Sequence, residues 1–400
     1  MVHIVVVGGN FAGLTSALQL KRALGNICKV TIISKSPFFV FVPSLIWIPF
    51  GKRELEDITL PLEPITKKAQ VEFVCAEVTQ VLPLEKSVKC NGSEFKYDYL
   101  IIATGPEWIF NQVDGMGLES NISNVVTPEN AMETRRRWTK FIKNPGPAVF
   151  GSPPGGQFTG HAYELLFNFE KQCRNLGIRN KVDITFITPE PFLGHFGVDG
   201  IKGSEFLMNK LFRILNIKYY VNAEIRKATP ESIYLSNGYN LPYKFSIIMP
   251  KFKGPNLIEN SAGLGTDDAF LPVNDGFQHK TYPNIFAVGA VAELPVPFKT
   301  PVPIGMPRTG YAANVSAKTA AHNIIHLIRG CDQFKVTPLA KLPEIHLLDI
   351  GGKELLDLMD HILKPRKFSI MLPNLVFNPS KLMVEKYFLW KMKRGYSWLP

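Results

Sequence analysis

The sequence is poor in cysteine, and this scarcity excludes several kinds of protein. Five cysteines are spread over 400 residues, at positions 28, 75, 90, 173 and 331, and no two of them form a C-x-x-C motif. Disulfide-rich scaffolds, zinc ribbons and thioredoxin-like redox pairs are therefore excluded. We interpret all five cysteines as structural or incidental, and we expect no metal site.

Long apolar runs are also missing. The most apolar stretch, residues 38–50, is broken by Pro43 and Pro49, whereas a helix needs roughly 20 residues to span a bilayer. The first residues carry no basic leader and no small-residue cleavage site, since their apolar run leads directly into glycines. We therefore expect an intracellular chain whose contact with a membrane is peripheral, at the cytoplasmic face.

The composition is that of a folded protein with an excess of positive charge. The chain is 46% hydrophobic and 20% charged, which excludes disordered, collagen-like and coiled-coil proteins. The 45 Lys and Arg against 34 Asp and Glu give a net charge of +11, which suits nucleic acid, an anionic membrane or anionic ligands. No helix-turn-helix, RNA-recognition or zinc-finger pattern is present, so we expect no nucleic-acid partner.

The first 34 residues follow the pattern of a dinucleotide-binding unit. Residues 3–7 (HIVVV) predict a buried strand, residues 11–24 a helix and residues 29–34 (KVTIIS) a second strand. Gly8 and Gly13 fit the glycine turn that lets a pyrophosphate lie on the N-terminus of the helix.

This unit departs from the dinucleotide-binding pattern at two places. Asn10 replaces the middle glycine of G-x-G-x-x-G, and Asn tolerates left-handed backbone better than most residues. The second strand ends in Ser34 and Lys35, without the acidic residue that would hold a ribose. On its own, the segment also fits a glycine turn in an ordinary α/β protein.

Later segments repeat the pattern. Residues 97–107 (YDYLIIATGPE) and 284–290 (NIFAVGA) each predict a strand that ends in a small-residue turn. Between them, a strand at 147–150, glycines at 151–156, a helix near 162–176 and a strand at 182–187 predict a second βαβ unit. Pro153 and Pro154 lack the N–H groups that cradle phosphate, so we expect a poor nicotinamide site there.

Several longer sequence runs, in the order in which they occur along the chain, resemble one known family. The chain resembles sulfide:quinone oxidoreductase, one of the flavoproteins with two dinucleotide-binding domains, over nearly its full length. The matching runs are FVPS at 41–44, ATGP at 103–106, AYE at 162–164, FITPEPFLGHFGVDG at 186–200, TPVPIGMPRTGY at 300–311, LKPRK at 363–367 and EKYFLWKMKRG at 385–395.

The resemblance implies an α/β fold with two Rossmann-like domains and a C-terminal amphipathic region. We expect an FAD-binding domain at residues 1–115 and 255–330, in two pieces. A second Rossmann-like domain is expected at 116–254, and a region that docks on the membrane and shapes a quinone pocket at 331–400.

The resemblance also implies which residues hold FAD. Arg308 stands where the family has a lysine near the flavin carbonyl, and its cation would stabilise a reduced flavin. The residues expected along the cofactor are Gly8, Asn10, Phe11, Ala12, Gly13, Ser34, Lys35, Pro43, Ser44, Ala103, Thr104, Gly105, Gly289, Arg308, Thr309 and Gly310.

The family's redox cysteines are replaced. In the family, a cysteine pair beside the flavin takes up sulfide, holds a persulfide and passes two electrons on to the flavin, but the three cysteine positions fall on Val126, Phe158 and His346. A histidine at 346 can move protons or fill the space of a lost thiol. Glu164 and His195 match family positions, so Glu164, His195 and His346 are the catalytic candidates.

The last 21 residues predict a helix at a membrane surface. Aromatic and cationic side chains at helical spacing suit an interfacial helix, and each cation near anionic lipid contributes about 1 kcal/mol. Residues 38–50 are the expected second contact. Tyr387 and Phe388 match residues that border the quinone ring in the family. The tail side chains concerned are Lys381, Leu382, Met383, Lys386, Tyr387, Phe388, Trp390, Lys391, Met392, Lys393 and Arg394.

Three functions remain open from the sequence. The first is an FAD-dependent oxidoreductase that passes electrons from a small reduced donor to a membrane quinone, without persulfide chemistry. The second is a single-subunit NADH:quinone oxidoreductase, which Pro153 and Pro154 disfavour and Glu190 mildly favours. The third is a non-catalytic flavoprotein that serves as an interaction subunit. The oligomeric state stays open.

Overall fold

The computed structural model describes residues 1–117, 120–331, 333–374 and 380–399. These residues form eight α-helices and 22 β-strands. The helices are α1 (Phe11–Leu24), α2 (Leu62–Lys68), α3 (Pro128–Phe141), α4 (Thr159–Asn175), α5 (Ser204–Ile214), α6 (Asn256–Glu259), α7 (Gly310–Arg329) and α8 (Ser380–Arg394). The strands are β1 (Val2–Val7), β2 (Cys28–Ser34), β3 (Phe38–Val40), β4 (Thr59–Pro61), β5 (Glu72–Cys75), β6 (Val78–Leu82), β7 (Ser87–Cys90), β8 (Ser93–Lys96), β9 (Tyr99–Ile102), β10 (Glu107–Ile109), β11 (Ala148–Gly151), β12 (Ile184–Ile187), β13 (Lys218–Tyr220), β14 (Ile225–Ala228), β15 (Ser232–Leu235), β16 (Asn240–Pro242), β17 (Phe245–Ile248), β18 (Lys251–Lys253), β19 (Ile285–Ala287), β20 (Glu344–Asp349), β21 (Glu354–Met359) and β22 (Ser369–Pro373).

A five-stranded parallel sheet carries the first βαβ unit. Its strand order is β19-β9-β1-β2-β5, and β1 pairs in register with both β2 and β9. Strands β1, β2, β9 and β19 are largely buried on both faces, as the apolar run in β1 requires. Because β19 pairs with β9, the segment near residue 287 is brought back to the sheet that begins the chain.

Helix α1 covers one face of this sheet and matches the predicted bounds of 11–24. It ends at Gly25, whose positive φ of 53° suits glycine, after Lys21 and Arg22 in the last turn. Its Thr15 hydroxyl donates to Asn314 of α7 over 3.2 Å. The two longest elements around the first sheet therefore pack on each other, with both N-termini at the carboxyl edge of the strands.

A second parallel sheet, ordered β13-β12-β11-β17, carries the second βαβ unit. Helix α4 follows β11 and begins at Thr159, three residues before the predicted start near 162. Its buried face is rich in aromatic rings that pack on the sheet, with Phe169 and Phe245 stacked 5.4 Å apart. The α/β class and the two Rossmann-like units expected from the sequence are confirmed.

The C-terminal region adds an antiparallel sheet, β20-β21-β22, and helix α8. Helix α8 packs on α2, β4 and β20. No helix within the described ranges is both long and apolar enough to cross a membrane.

The segment at residues 38–50 is placed differently from the prediction. Residues Val42–Trp47 form a 3-10 helix with Pro43 in its first turn, and its Leu45, Ile46 and Trp47 side chains are buried. Phe39, Phe41 and Trp47 lie in the main hydrophobic core, while only Phe38 of the large side chains is exposed. The expectation of a second membrane contact here is wrong, because apolar content alone does not distinguish a lipid contact from a contact with α3, α4 and α8.

Candidate active site

The backbone of the turn after β1 lies in close contact with the backbone that follows β9. Gly8 has a φ of +108°, and a Cβ there would lie 2.4 Å from the Ala103 carbonyl oxygen. A Cβ on Gly13 would lie 1.9 Å from the Gly8 carbonyl oxygen. Both positions therefore need glycine, and the end of β9 (Ala103, Thr104) lies against the turn.

The polar side chain at the N-terminus of α1 has no hydrogen-bond partner among the described residues. Asn10 is its N-cap but makes no side-chain capping hydrogen bond, and its amide oxygen is buried without a partner among the described residues. The first backbone N–H groups of the helix, beginning at Phe11 and Ala12, therefore have no cap. Uncapped N–H groups at a helix N-terminus beside close-packed glycines fit a pyrophosphate.

Residues from the two ends of the chain meet at this turn. A Cβ on Gly289, whose φ is +73°, would lie 3.4 Å from Ala12 Cβ, and one on Gly310 would lie 3.2 Å from the Phe11 ring. Thr309 caps α7 by accepting from the N–H of Ala312. The predicted cofactor positions on β1–α1, β9, β19 and α7 are thus neighbours in space.

A small cavity opens beside the N-terminus of α7. Gly289, Arg308 and Thr309 line it, together with Met306 and Ala313. The Arg308 guanidinium donates to the Ala292 carbonyl over 2.7 Å. Burial lowers the pKa of Arg308 to about 10, so the side chain remains a cation at neutral pH.

Some of the remaining predicted cofactor residues lie at the α1 turn and others do not. Ser34 lies against the turn, 3.0 Å from where a Cβ on Gly9 would be, and Gly105 has a φ of +75° just after β9. The side chain of Lys35 is exposed. Ser44, one residue after Pro43, donates its hydroxyl to Glu385 of α8 over 2.6 Å.

A buried charge network joins α4 to α8. Glu164 is fully buried, and its Oε1 accepts from the Lys381 ammonium and, over 2.9 Å, from the backbone N–H of Asp349. Glu164 Oε2 has no hydrogen-bond partner within the described part of the chain. A free lone pair on a buried carboxylate leaves this group able to accept a further proton or ligand N–H or O–H. We call Glu164, Lys381 and Asp349 the Glu164 network.

His346 borders this network. Its Nδ1 lies 3.2 Å from the buried Asp357 carboxylate. Burial works against the charged ring, but the hydrogen bond to Asp357 and the charges of Asp357, Glu164 and Glu344 outweigh it and raise the pKa of His346 above 6.5. His161, also nearby, is affected in the opposite direction. Burial and the charges of Lys381 and His346 lower its pKa to about 3. The two histidines therefore hold their protons very differently.

His195 lies in a different environment from the other two catalytic candidates. It is buried between the rings of Phe192 and Phe298, with its Nε2 3.7 Å from Asp199. Burial lowers the pKa of His195 to about 4, although Asp199 raises it. The structure thus brings Glu164 and His346 together and does not bring His195 to them.

The resemblance implies cysteines at three positions, which in this chain carry Val126, Phe158 and His346. Val126 is buried, and the Phe158 ring packs 5.4 Å from Trp108 and 5.1 Å from His161. Phe158 therefore contacts His161, and His346 is close enough to His161 to affect its pKa. The five cysteines of the chain are free, at other positions, three of them buried.

Two backbone N–H groups of the second glycine turn already donate to carbonyl groups of the protein. The N–H of Gly155 donates to the Pro303 carbonyl over 2.6 Å, and the N–H of Gly156 donates to Pro153 over 3.0 Å. Glu190, at the end of β12, is fully buried and accepts from the Tyr163 hydroxyl, the Thr188 hydroxyl and the Phe196 N–H. The groups that would hold a second dinucleotide are used internally, so Glu190 gives no support to a ribose site.

The two predicted quinone residues point in different directions. Phe388 packs against Phe11, Phe39 and Phe41, with ring centroids 4.8, 5.9 and 5.7 Å away. Tyr387 is partly exposed and lies 6.1 Å from Trp390. The Lys391 ammonium lies over both the Phe388 and Tyr387 rings. Phe388 thus faces the predicted cofactor turn, and Tyr387 faces outward.

Fewer cations lie on the exposed side of α8 than the sequence predicts. Lys381 and Lys391 are buried, so these two of the five tail cations do not face a membrane. The exposed side of α8 carries Met383, Val384, Tyr387 and Trp390 beside the exposed Lys386, Lys393 and Arg394. Tyr396 and Trp398 extend this exposed surface.

The sequence missed several groups of the site. Lys381 was assigned to the membrane surface, and Asp349, Asp357 and Glu385 were not singled out. Lys381, Asp349 and Glu385 pair with residues far away in the chain, Glu164 and Lys381 being 217 positions apart. Asp357 pairs with His346 on the neighbouring strand. The only signal was an acidic residue within an apolar segment, which often indicates a buried partner. Among the described residues no group of three or more metal-ligating side chains occurs.

Comparisons with known proteins agree with this geometry. The family model for pyridine nucleotide-disulphide oxidoreductases matches residues 2–320. The sulfide-quinone reductase of Aquifex aeolicus is 36% identical over 98% of this chain and 91% of its own length. A type II NADH:quinone oxidoreductase of Staphylococcus aureus is 26% identical over 82% of this chain and 83% of its own. The X-ray structure of sulfide:quinone oxidoreductase from Aquifex aeolicus superposes with a TM-score of 0.94 over 99% of this chain and 92% of that one.

Proposed function

Since the chain belongs to the pyridine nucleotide-disulphide oxidoreductase family and, within it, to the sulfide:quinone oxidoreductases, we propose that it passes electrons from a small reduced donor to a membrane quinone without a cysteine persulfide. It is an FAD-dependent oxidoreductase. FAD, when bound, supplies the two-electron carrier between donor and quinone. The proposed domain limits are 1–115 with 255–330 for FAD, 116–254 for the second Rossmann-like domain and 331–400 for docking.

The residues at the α1 turn are proposed to hold the cofactor. Gly8 and Gly13 leave room for close backbone approach, and the uncapped start of α1 offers N–H groups to a pyrophosphate. Arg308 would place its cation at the cavity beside the α7 N-terminus. Positive charge there favours the reduced, more negative form of the cofactor.

One observation carries the proposal that the donor is oxidised without a persulfide. Phe158 and His346 stand at two of the three cysteine positions that the family resemblance implies, and Val126 at the third. None of these side chains can form a thiolate, which is the nucleophile that persulfide chemistry needs. The donor must therefore react by another route, and sulfur compounds remain among the candidates.

Glu164 and His346 are proposed to handle protons. Quinone reduction consumes protons, and a histidine whose pKa is raised beside a buried carboxylate holds a proton more readily than a free histidine. The Glu164 Oε2 atom is the unoccupied acceptor of the pair. If His346 has this role, His346→Ala changes the pH–rate profile; an unchanged profile would contradict it.

The exposed side of α8 is proposed to dock on a membrane, at its cytoplasmic face. It combines Trp390, Tyr387 and Met383 with the exposed cations Lys386, Lys393 and Arg394, a composition that suits the headgroup region. Quinone would then approach through the neighbourhood of Phe388 and Tyr387.

Flavin absorbance tests the electron donor. Anaerobic, FAD-loaded protein is mixed with sulfide and, separately, with NADH. Bleaching by sulfide, followed by reoxidation with a quinone, would mean that this donor reacts without the cysteines. Bleaching by NADH alone would move the assignment to NADH:quinone oxidoreduction, against which the buried Glu190 and the closed second turn argue. If neither reagent bleaches the flavin, other reduced donors are screened in the same assay, and a protein that none of them reduces would be a non-catalytic flavoprotein.

A further inference from the structure

One face of the C-terminal sheet is aliphatic and points away from the protein. In an antiparallel sheet, residues directly opposite each other share a face, and every second residue of a strand returns to that face. Ile345 is 71% exposed and Leu372 is 43% exposed, and the other members are partly exposed. We call this surface the outer sheet face; its side chains are Ile345 and Leu347 of β20, Leu356 and Leu358 of β21, and Ile370 and Leu372 of β22.

The two faces of this sheet differ in packing but not in polarity. None of the six side chains of the outer sheet face belongs to, or packs against, a hydrophobic core cluster of the described residues. On the opposite face, Leu348, Leu355 and Met371 are buried in the main core. A sheet with one face in water normally carries polar residues there. An aliphatic surface in that position indicates a contact that the chain itself does not supply within the described ranges.

The exposed charges around the outer sheet face are positive. Lys341 precedes β20 and Lys367 precedes β22, so both lie at one end of the sheet, and Lys353 lies at the other end, in the turn between β20 and β21. All three lysines are exposed. The carboxylates at the strand ends are buried or partly buried; they are Glu344, Asp349, Glu354 and Asp360. A partner with negative charge at its periphery therefore suits this surface.

The exposed side of α8 continues the outer sheet face. By its register Glu354 belongs to that face, two residues before Leu356. Its carboxylate accepts the N–H of Lys381 over 2.9 Å, so α8 begins at this end of the sheet. Met383 and Val384, near the start of the helix, are 58% and 49% exposed. The sheet and the helix thus present one continuous apolar surface.

We propose that the outer sheet face contacts the lipids of an anionic membrane, with Lys341, Lys353 and Lys367 at the headgroups. The inference rests on the proposed docking on a membrane, and it adds the sheet to α8 as a docking element. Aliphatic side chains surrounded by cations suit the boundary between acyl chains and anionic headgroups. A second copy of the chain suits the surface less, because two outer sheet faces packed together would bring two sets of lysines to one rim.

Vesicle binding tests the proposal on the full-length, FAD-loaded protein, without donor or quinone. The vesicles contain equal parts of phosphatidylcholine and phosphatidylglycerol. Ile345→Thr with Leu372→Thr should weaken binding roughly tenfold or more, because two aliphatic side chains leave the contact. Threonine suits a strand, so the circular dichroism spectrum should not change. Replacing the three lysines together by glutamine should also weaken binding about tenfold or more, and should leave binding to phosphatidylcholine alone unchanged.

Leu84→Thr is the matched control for Ile345→Thr, since Leu84 is 90% exposed in the turn between β6 and β7 of another sheet. It should change the affinity by less than about twofold, whereas Ile345→Thr should lower it severalfold. Equal losses for these two variants, or unchanged binding by Ile345→Thr with Leu372→Thr, would overturn the proposal.

Two further outcomes separate this inference from related ones. If Met383→Ser with Trp390→Ser weakens binding and the sheet variants do not, docking through α8 stands and the role of the sheet is refuted. If the unaltered protein does not bind anionic vesicles, membrane docking fails together with this inference. Analytical ultracentrifugation detects the remaining occupant. An oligomer that Ile345→Thr with Leu372→Thr dissociates, without loss of vesicle binding, would assign the outer sheet face to a contact between copies and overturn the proposal.

Discussion

Replacing Lys381 by methionine tests how strongly one buried ion pair holds α8 to the body of the protein. The side chains of Lys381 and Glu164 are 9% and 1% exposed, so solvent screens their interaction little. Removing one partner of such a pair leaves the other charge buried and uncompensated, which costs about 3–5 kcal/mol. Among the described residues, the other donor to Glu164 Oε1 is a neutral backbone N–H, which does not replace the cation. We therefore expect Lys381→Met to lower the free energy of unfolding by about 3–5 kcal/mol.

Urea denaturation followed by circular dichroism measures this loss, and hydrogen exchange of α8 shows whether the helix detaches first. Lys386→Met on the same helix is the control, because Lys386 is 60% exposed and lies 3.9 Å from its nearest carboxylate; it should change stability by less than about 1 kcal/mol. The double variant Glu164→Leu with Lys381→Met removes both charges and should recover much of the loss. A Lys381→Met protein no less stable than Lys386→Met would refute the reasoning.

Three further results are expected. Gly13→Ala places a Cβ 1.9 Å from the Gly8 carbonyl and should give unstable protein without bound flavin, measured by absorbance after gel filtration, whereas Gly160→Ala, whose Cβ meets open space in α4, should retain it. The pKa of His346 is raised in the folded state, so its contribution to stability is complete below about pH 6.5 and is lost as the pH rises through the folded pKa. His346→Gln should therefore make the free energy of unfolding, measured by urea titration, depend less on pH. An unchanged pH dependence would contradict the assignment. Met383→Ser with Trp390→Ser should reduce sedimentation with anionic vesicles, as should ending the chain before Ser380; if the shortened chain still sediments with them, α8 is not the anchor.

The local part of the fold was predictable because short-range rules determine it. The apolar run at residues 3–7, the glycines that follow and the leucines of residues 11–24 led to β1 and to the correct bounds of α1. Gly8 and Gly13 were identified from spacing alone, and the structure shows the close backbone contacts that require glycine there. The second βαβ unit followed from the same patterns, with an error of three residues at the start of α4.

The long-range part was not predictable from patterns. Helical spacing places aromatic and cationic residues on α8, but it does not say that Lys381 and Lys391 turn inward while Trp390 stays exposed. The apolar segment at residues 38–50 has the same composition whether it meets lipid or protein. Pairings such as Ser44 with Glu385 depend on how separate elements pack, which no single segment encodes.

The attachment of α8 has a consequence for biosynthesis. The buried carboxylate of Glu164 receives its counter-charge from Lys381, and Ser44 and Arg53 receive their acceptor from Glu385. Chains emerge from the ribosome N-terminus first, at about 5–20 residues per second, so Lys381 emerges 217 residues after Glu164. The two Rossmann-like units can fold during synthesis, but the interior around Glu164 is completed only once α8 has emerged. A ribosome-bound chain lacking α8 should therefore be more sensitive to protease near residue 164 than the finished protein.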